Sequence, residues 1–229
     1  MQLDIDQTYG PRRRAAATML LRLLARGLRP YQPVTVGKKT IAPGRRGTHE
    51  RLDALLPVLH EASPRLVVDL GSAEGYFVRR CTEAGYPTLG VEADVRRLML
   101  AQMSLTLDAV EGFGFWRQRI APDTVALLPE ADATLCLSLF HHVVYGNGLD
   151  YATDLLRAIR AKTHKVLIFE MGYSTETAFP WASRLPDMGA DPEGWVASFL
   201  TRAGFADPEV ICRVESYNSD LKRATFVAR

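Results

Sequence analysis

From residue 64 onward, short apolar segments of β type alternate with segments of helical periodicity. This is the pattern of repeated βα units, and it constrains the fold more than any other feature of the sequence. The predicted strands cover 65–70, 87–92, 113–119, 133–139 and 165–170, and the predicted helices cover 74–84, 94–109, 150–161 and 191–203, with a short helical or irregular piece at 122–129. Five such units predict an α/β fold with a doubly wound parallel sheet and helices on both faces.

The last two predicted strands, 209–215 and 224–228, are joined by a polar turn with no helix between them. Strands connected in this way pair as an antiparallel hairpin. We therefore predict a mostly parallel sheet of seven strands that ends in an antiparallel hairpin.

Composition limits the class of protein. A chain of 229 residues with 47% hydrophobic and 24% charged residues has the size and composition of one globular α/β domain with a short appendage. The apolar runs are far shorter than the roughly 20 residues that span a bilayer, and the start lacks the apolar core of a signal peptide. Three cysteines without CxxC spacing (Cys81, Cys136, Cys212) argue against disulfides or structural zinc. We expect inert thiols in a cytoplasmic protein.

Charge is distributed unevenly along the chain. Residues 1–51 carry a net charge of +8, whereas the rest carries −6. A basic segment of this kind either attracts an anionic ligand or polyanion, or docks on the acidic surface of its own domain. A stable nucleic-acid partner is not expected, because no aromatic-rich basic stretch accompanies the charge.

The basic segment contains an amphipathic helix over 15–27, followed by a Pro- and Gly-rich connector or lid over 30–47. We expect this helix to cap the domain or to pair with a second subunit in a homodimer. A membrane-surface helix is less favoured, because Asp4 and Asp6 precede it and its apolar face has no bulky aromatic residue. Thr48 is predicted to cap a helix over 49–62. The expected division is therefore an N-terminal extension (1–47) and a main domain (48–229).

The first predicted strand leads into the segment VVDLGSAEGYF (67–77), which carries the clearest chemical signal. Asp69 lies near the end of the strand, and Gly71 and Gly75 bracket a tight turn. Ligands of doubly wound sheets bind outside the carboxyl ends of the strands, and glycine lets the backbone approach them closely. The spacing is not GxGxxG, and no Gly-Lys-Ser/Thr follows, so a phosphate-binding P-loop is excluded. Asp69 and Glu74 favour a cationic or hydroxyl-rich ligand instead.

Glu92 ends the second predicted strand, 21 residues after Gly71. An acidic side chain at this distance binds the two hydroxyls of a ribose in nucleotide-binding sheets. The loop and Glu92 together predict a nucleoside-containing ligand.

With these motifs the chain resembles the class I S-adenosylmethionine-dependent methyltransferases. VVDLGSAEGYF is similar to their first motif, LGVEAD (89–94) to their second, ATLCLSLFHHV (133–143) to their fourth, and the ending RATFVA (223–228) to their last strand. The resemblance implies the cofactor S-adenosylmethionine, with Glu92 on its ribose and with its adenine near Ala93 and around 119–121, which includes Ile120. Many members have an Asp at the third motif, where this chain has RQRI (117–120), so the adenine contacts are expected to be backbone contacts. The remaining cofactor residues implied by the resemblance are Asp69, Gly71, Ser72, Ala73, Gly75, Tyr76, Phe77 and Ser138.

A narrower resemblance is to methyltransferases that act on bacterial polysaccharides, including the methyltransferase part of O-antigen chain terminators and the mycobacterial methylmannose polysaccharide enzymes. It is carried by FHHV (140–143), FEM (169–171) and the basic run 44–51. It implies that Arg46 and Arg51 bind the methionine carboxylate or an anionic acceptor.

The catalytic candidates follow the fourth and fifth strands. An alcohol needs a base to become a nucleophile, and histidine titrates near neutrality, so we predict that His142 or His141 is the general base. Local packing of one or both histidines remains an alternative. Glu170 is expected to orient a histidine, to bind a substrate hydroxyl, or to join a histidine on a metal. One carboxylate beside histidines falls short of a metal-site signature, so no obligatory metal is predicted.

Residues 172–190 form an unusually long connection, which favours a substrate loop over a subunit interface. Its candidate substrate residues are Tyr173, Glu176, Trp181 and Arg184. The predicted function is O-methylation of a saccharide or related polyhydroxylated metabolite. A natural-product or phosphate methyltransferase and a non-catalytic S-adenosylmethionine-binding protein are the alternatives.

Overall fold

The computed structural model of the chain describes residues 5–44, 47–216 and 221–229. The helices are α1 (Ile5–Leu28), α2 (Thr48–Ala62), α3 (Tyr76–Glu83), α4 (Val95–Leu107), α5 (Pro122–Ala126), α6 (Phe140–Asn147), α7 (Leu149–Lys162) and α8 (Pro192–Arg202). The strands are β1 (Val34–Val36), β2 (Lys39–Ala42), β3 (Val67–Leu70), β4 (Thr88–Glu92), β5 (Phe113–Arg117), β6 (Ala131–Leu137), β7 (Thr163–Glu170), β8 (Glu209–Glu215) and β9 (Lys222–Ala228), and a short 3-10 helix covers Pro180–Arg184.

Seven strands form the main sheet in the order β5-β4-β3-β6-β7-β9-β8. Strands β3 to β7 are parallel, and β9 runs antiparallel to both of its neighbours. The predicted sheet and its terminal hairpin are confirmed. The chain adds β4 and β5 on one side of β3 and then returns to place β6 on the other side, so β3 and β6 flank the switch point where ligands bind.

Apolar side chains cover both faces of the sheet. On one face Phe140 packs edge-on against Phe169 at 5.1 Å between ring centroids. On the other face Leu55 and Leu59 of α2 pack over Leu135. The free thiols of Cys81 and Cys136 are buried, and burial raises their pKa, whereas Cys212 is half-buried.

The fourth parallel strand ends earlier than predicted, and this moves the histidines. β6 ends at Leu137, Ser138 takes a positive φ of 55°, and His142 N–H then donates to the Leu139 carbonyl at 2.9 Å to begin α6. The prediction of a strand over 133–139 was wrong at its end, because a short apolar run fits a strand or a buried helix equally well. His141 and His142 therefore lie on the first turn of a helix.

The N-terminal segment also differs from its prediction. α1 begins at Ile5 rather than at residue 15, with a break at Gly10, and the connector contains the hairpin β1–β2. Thr48 does not cap α2, because Gly47, in a left-handed conformation, occupies the N-cap position. No helix in the described ranges is long and apolar enough to cross a membrane.

The basic segment packs onto the main sheet domain through α4. Leu21 of α1 lies in one buried cluster with Val34 of β1 and Leu100 of α4. Arg14 pairs with Asp108 at 3.2 Å, so part of the basic charge docks on an acidic side chain of the domain, as one of the two sequence interpretations expected.

Candidate active site

The turn after β3 is closed by its own backbone. The N–H groups of Gly71 and Ser72 donate to the Val91 carbonyl at 2.9 and 3.1 Å, and Gly75 N–H donates to the Ser72 carbonyl at 2.8 Å. Gly75 has a φ of 74°, and a Cβ there would lie only 2.9 Å from the Cβ of Ala101. The glycine is required because α4 packs directly on the turn.

Two polar atoms of this turn are buried without a partner among the described residues: Asp69 Oδ2 and Ser72 Oγ. Burial, together with the nearby charge of Glu92, raises the pKa of Asp69 to about 7. The carboxylate of Glu92 is oriented by two backbone donors, Ala73 N–H at 2.9 Å and Asp94 N–H at 2.8 Å. The turn therefore presents two neighbouring carboxyl groups that accept hydrogen bonds and favour positive charge.

These atoms fit the cofactor that the sequence predicted. Unpaired buried polar groups are rare in folded proteins because each costs about 1–3 kcal/mol, so they mark places where a ligand supplies the partner. The α-ammonium group of the methionine moiety suits Asp69, and a ribose diol suits the free lone pairs of Glu92. Gln118 N–H donates to the Glu92 carbonyl at 3.2 Å, and of the two residues predicted to lie near the adenine, Ile120 is half-buried and Ala93 is exposed.

Two predicted cofactor residues direct their side chains elsewhere. Tyr76 and Phe77 lie in the buried cluster between α2 and the sheet, and the Tyr76 hydroxyl is hydrogen-bonded to Nδ1 of His49 at 2.9 Å. The helical turn that follows Gly75 directs both side chains toward α2, and a cofactor role for these two residues stays a prediction.

A clamp joins the N-terminal connector to the cofactor turn. The Glu74 carboxylate accepts the N–H groups of Tyr31 (3.0 Å) and Gln32 (2.8 Å) and pairs with Arg97 at 2.9 Å. In return, the Gln32 side-chain oxygen accepts the first N–H of α3, from Tyr76, at 2.9 Å. Glu74 thus faces the connector and not a ligand, which corrects its expected place. Sequence reasoning missed Gln32, because no local pattern indicates a partner 44 residues away.

The two histidines occupy different environments. His141 is buried, its Nδ1 accepts the Gly172 N–H at 3.0 Å, and its ring contacts those of His142 and Trp181, with centroid distances of 4.3 and 4.4 Å. Burial, helped by the charge of Arg223, lowers the pKa of His141 well below its usual value. His141 is therefore neutral, with its proton on Nε2. His142, in contrast, is exposed.

Glu170 is fully buried, and both of its carboxylate oxygens accept hydrogen bonds. Arg51 donates to it from Nε at 2.6 Å and from Nη2 at 2.9 Å, Ser138 Oγ donates at 2.6 Å, and Thr225 Oγ1 donates at 3.1 Å. Burial opposes ionisation, but the charge and hydrogen bonds of Arg51 outweigh it and lower the pKa of Glu170.

Glu170 therefore orients Arg51 and Ser138, and both of these residues donate to its carboxylate. The predicted contacts of these three residues with cofactor or acceptor stay predictions. Across the described ranges, no group of three or more His, Cys, Asp and Glu side chains is arranged to hold a metal.

The loop after β7 is attached to β9 by a second buried ion pair. Arg223 donates to Glu176 from both Nε and Nη2 at 2.8 Å, and Ser216 also bonds this carboxylate. The Tyr173 hydroxyl accepts the Ala224 N–H at 2.8 Å. Trp181 is buried as well, with the Arg223 guanidinium 5.3 Å from its ring centroid.

Tyr173, Glu176 and Trp181 are therefore buried and hold the loop in place, and their contact with a substrate stays a prediction. Arg184 is exposed and lies 5.1 Å from the ring centroid of Tyr145, one helical turn beyond His142. Arg46, another predicted substrate residue, lies outside the described residues.

Comparisons with known proteins agree with this geometry. No family model matches the sequence. The chain is 26% identical over 149 residues, 62% of its length, to the O-antigen chain terminator bifunctional methyltransferase/kinase WbdD of Escherichia coli, and it covers 21% of that protein. A crystal structure of WbdD superimposes with a TM-score of 0.77 at 23% identity over 91% of this chain and 46% of that one. The N-terminal domain of EvdMO1, crystallised in the presence of SAH and D-fucose, gives 0.64 at 18% identity over 92% of this chain and 96% of that one.

The fold is that of WbdD and EvdMO1, and the predicted fold class is confirmed. The chain spans less than half the length of WbdD, the curated relative that it matches.

Proposed function

We propose that this chain transfers a methyl group from S-adenosylmethionine to a hydroxyl of a saccharide, with His142 as the general base. The observation that carries the proposal is the contrast within the histidine pair at the switch point. His141 is buried with Nδ1 already accepting a hydrogen bond, whereas His142 is exposed on the same helical turn. Of the two histidines, the exposed one, His142, is therefore the proposed contact of an acceptor that enters from solvent.

Bound S-adenosylmethionine supplies an electrophilic methyl group for in-line displacement. The chain's own residues bind, orient and deprotonate. Asp69 and Glu92 hold the cationic and diol ends, which fixes the position of the electrophile. His142 would take the proton of the acceptor hydroxyl. The neutral ring of His141 packs against His142 on one face and against Trp181, and so limits the orientations that His142 can adopt.

A saccharide acceptor is supported by the relatives, since one terminates O-antigen chains and the other was crystallised with D-fucose. The phosphate alternative required the basic segment to face the site. The exposed arginines of α1 lie on the packed N-terminal extension, and Arg51 is neutralised by Glu170, so the described residues do not favour it.

The test is His142→Ala, measured by turnover with labelled S-adenosylmethionine and a panel of short saccharides. We expect turnover to fall at least tenfold, since general-base catalysis supplies a factor of about 10²–10⁴. Affinity for S-adenosylhomocysteine should be unchanged, because His142 is not part of the turn after β3.

His164→Ala, at an exposed histidine on β7, is the matched control and should retain full turnover. Unchanged turnover in His142→Ala would refute the assignment of the base. Absence of methylation by the unmodified chain on every acceptor hydroxyl would instead refute the saccharide class.

A further inference from the structure

The large hydrophobic side chains that stay exposed are concentrated on two neighbouring helices. Eight such side chains are exposed in the part of the chain that the structure describes, and five of them lie on α1 and α4. These five, which we call the α1–α4 face, are 41% to 64% exposed: Met19, Leu20, Leu23, Val95 and Met99. Exposed apolar side chains are unremarkable when scattered, but a group on adjacent helices marks a contact surface.

A cleft continues this face between the two helices. It has a volume of about 290 Å³ and is lined mainly by apolar groups, including Ala17, Met99 and Met103, with Arg13 and Arg14 at its edge. Met99 belongs both to the cleft and to the α1–α4 face, so the two form one surface.

The surface is also basic. Arg12, Arg13, Arg22 and Arg26 are exposed on α1, and helical spacing places Arg22 and Arg26 beside the turn that carries Met19 and Leu23. The opposite side of α1 packs against the domain, where Leu21 and Ala25 are buried. The helix therefore caps the domain with one side only and turns its remaining leucines and arginines outward.

We propose that the α1–α4 face binds the surface of an anionic lipid bilayer, with α1 lying in the plane of the headgroups. Apolar side chains bordered by arginines are the chemistry of interfacial helices, in which the apolar groups enter the headgroup region and the cations meet anionic lipid. This surface does not include the proposed catalytic residues, so the proposal does not depend on the acceptor or the base.

The charge argues against a second copy of the chain as the occupant. In a twofold dimer the same patch meets itself, so the arginines of one protomer would oppose those of the other. Like charges brought together in this way repel, whereas an anionic bilayer neutralises them. The buried side of α1 caps the domain, as the sequence favoured, and its outward side carries the membrane interpretation that the sequence favoured less.

The experiment is sedimentation of the full chain with vesicles of phosphatidylcholine alone or of an equal mixture of phosphatidylcholine and phosphatidylglycerol. We expect the chain to bind the mixed vesicles and not the neutral ones, and to be released by salt. The double substitution Leu20→Ser and Leu23→Ser should lower the partition coefficient at least tenfold, since the apolar contact is lost. Arg22→Gln and Arg26→Gln should each lower it roughly fivefold.

Leu127→Ser is the matched control, because Leu127 is an exposed leucine on the segment that follows α5, and it should bind like the unmodified chain. Affinity for S-adenosylhomocysteine, measured on every variant, reports whether the fold is intact. The proposal is overturned if the mixed vesicles bind no chain, or if the double variant binds as well as the unmodified chain. It is equally overturned if analytical ultracentrifugation shows a dimer that the double variant abolishes, because the face then belongs to a second copy.

Discussion

The two sides of the candidate site treat their buried charges in opposite ways. On the cofactor side, Asp69 is buried with one carboxyl oxygen that has no hydrogen-bond partner among the described residues. On the acceptor side, Glu170 and Glu176 are equally buried, but each is paired with an arginine and at least one hydroxyl. The comparison distinguishes two kinds of buried carboxylate. One that lacks a hydrogen-bond partner can still bind a ligand, whereas one that is fully hydrogen-bonded supports the structure around the site.

The largest effect on stability is expected from Glu170, the carboxylate whose hydrogen-bond partners are all within the protein. Glu170→Ala removes the partner of Arg51 and leaves a buried cation uncompensated, which should lower the free energy of unfolding by about 3–5 kcal/mol. Urea denaturation of the ligand-free chain measures this. Glu130→Ala, at an exposed carboxylate beside His164, should stay within about 0.5 kcal/mol of the unmodified chain. Equal stability of both variants would show that the acceptor-side network does not support the fold.

Asp69→Asn, at the carboxyl group without a partner, should change the free energy of unfolding in the opposite direction. The substitution keeps the shape but removes a carboxylate that is not paired with a cation, so the ligand-free chain should become more stable at pH 8. Affinity for S-adenosylhomocysteine should fall about 10–100-fold, since a hydrogen bond to a charged group contributes about 1.5–3 kcal/mol. Calorimetry measures the affinity, and Asp154→Asn, at an exposed aspartate, is the control. A variant that binds normally would remove Asp69 from the cofactor site.

The same carboxyl group sets a pH dependence. In the folded chain its pKa is about 7, against an ordinary value of 3.8, so the folded state holds a proton that the unfolded state has lost between these pH values. The stability of the ligand-free chain should therefore decline as pH rises through this window and level off above pH 7. Ligand affinity should rise over pH 6–8, because the cationic ligand needs the ionised carboxylate. Both trends should be weaker in Asp69→Asn, and unchanged trends in that variant would assign them to another group.

The sequence was informative where a function depends on local pattern and poor where it depends on remote partners. The alternation of segments predicted the seven-stranded sheet, and the spacing from Gly71 to Glu92 predicted that the turn after β3 and the end of β4 lie side by side. To a reader of the sequence, however, Asp69 and Glu170 are both acids at strand ends. What distinguishes them is Arg51, which lies 119 residues before Glu170 and was expected to face a ligand. Only packing reveals which carboxylate has a partner.

The smallest effect is expected from Gln32, which belongs to the contact between the N-terminal connector and the turn after β3. The side-chain oxygen of Gln32 accepts a hydrogen bond from the first N–H of α3, and Gln32 is not part of the turn after β3. Gln32→Ala should therefore loosen the turn and weaken S-adenosylhomocysteine binding roughly fivefold, the value of one ordinary hydrogen bond of about 1 kcal/mol. Turnover at saturating cofactor should not change, because the residue acts through the turn and not on the reacting atoms.

The split between affinity and turnover is the decisive readout for Gln32. General destabilisation by the substitution would lower the active fraction, and with it the apparent turnover, without raising the KM for the cofactor. Gln102→Ala, at an exposed glutamine on α4, should change neither quantity. If Gln32→Ala binds the cofactor as tightly as the unmodified chain, the connector merely rests on the turn. The N-terminal extension would then be separable from the cofactor site, as the expected division at residue 47 implied.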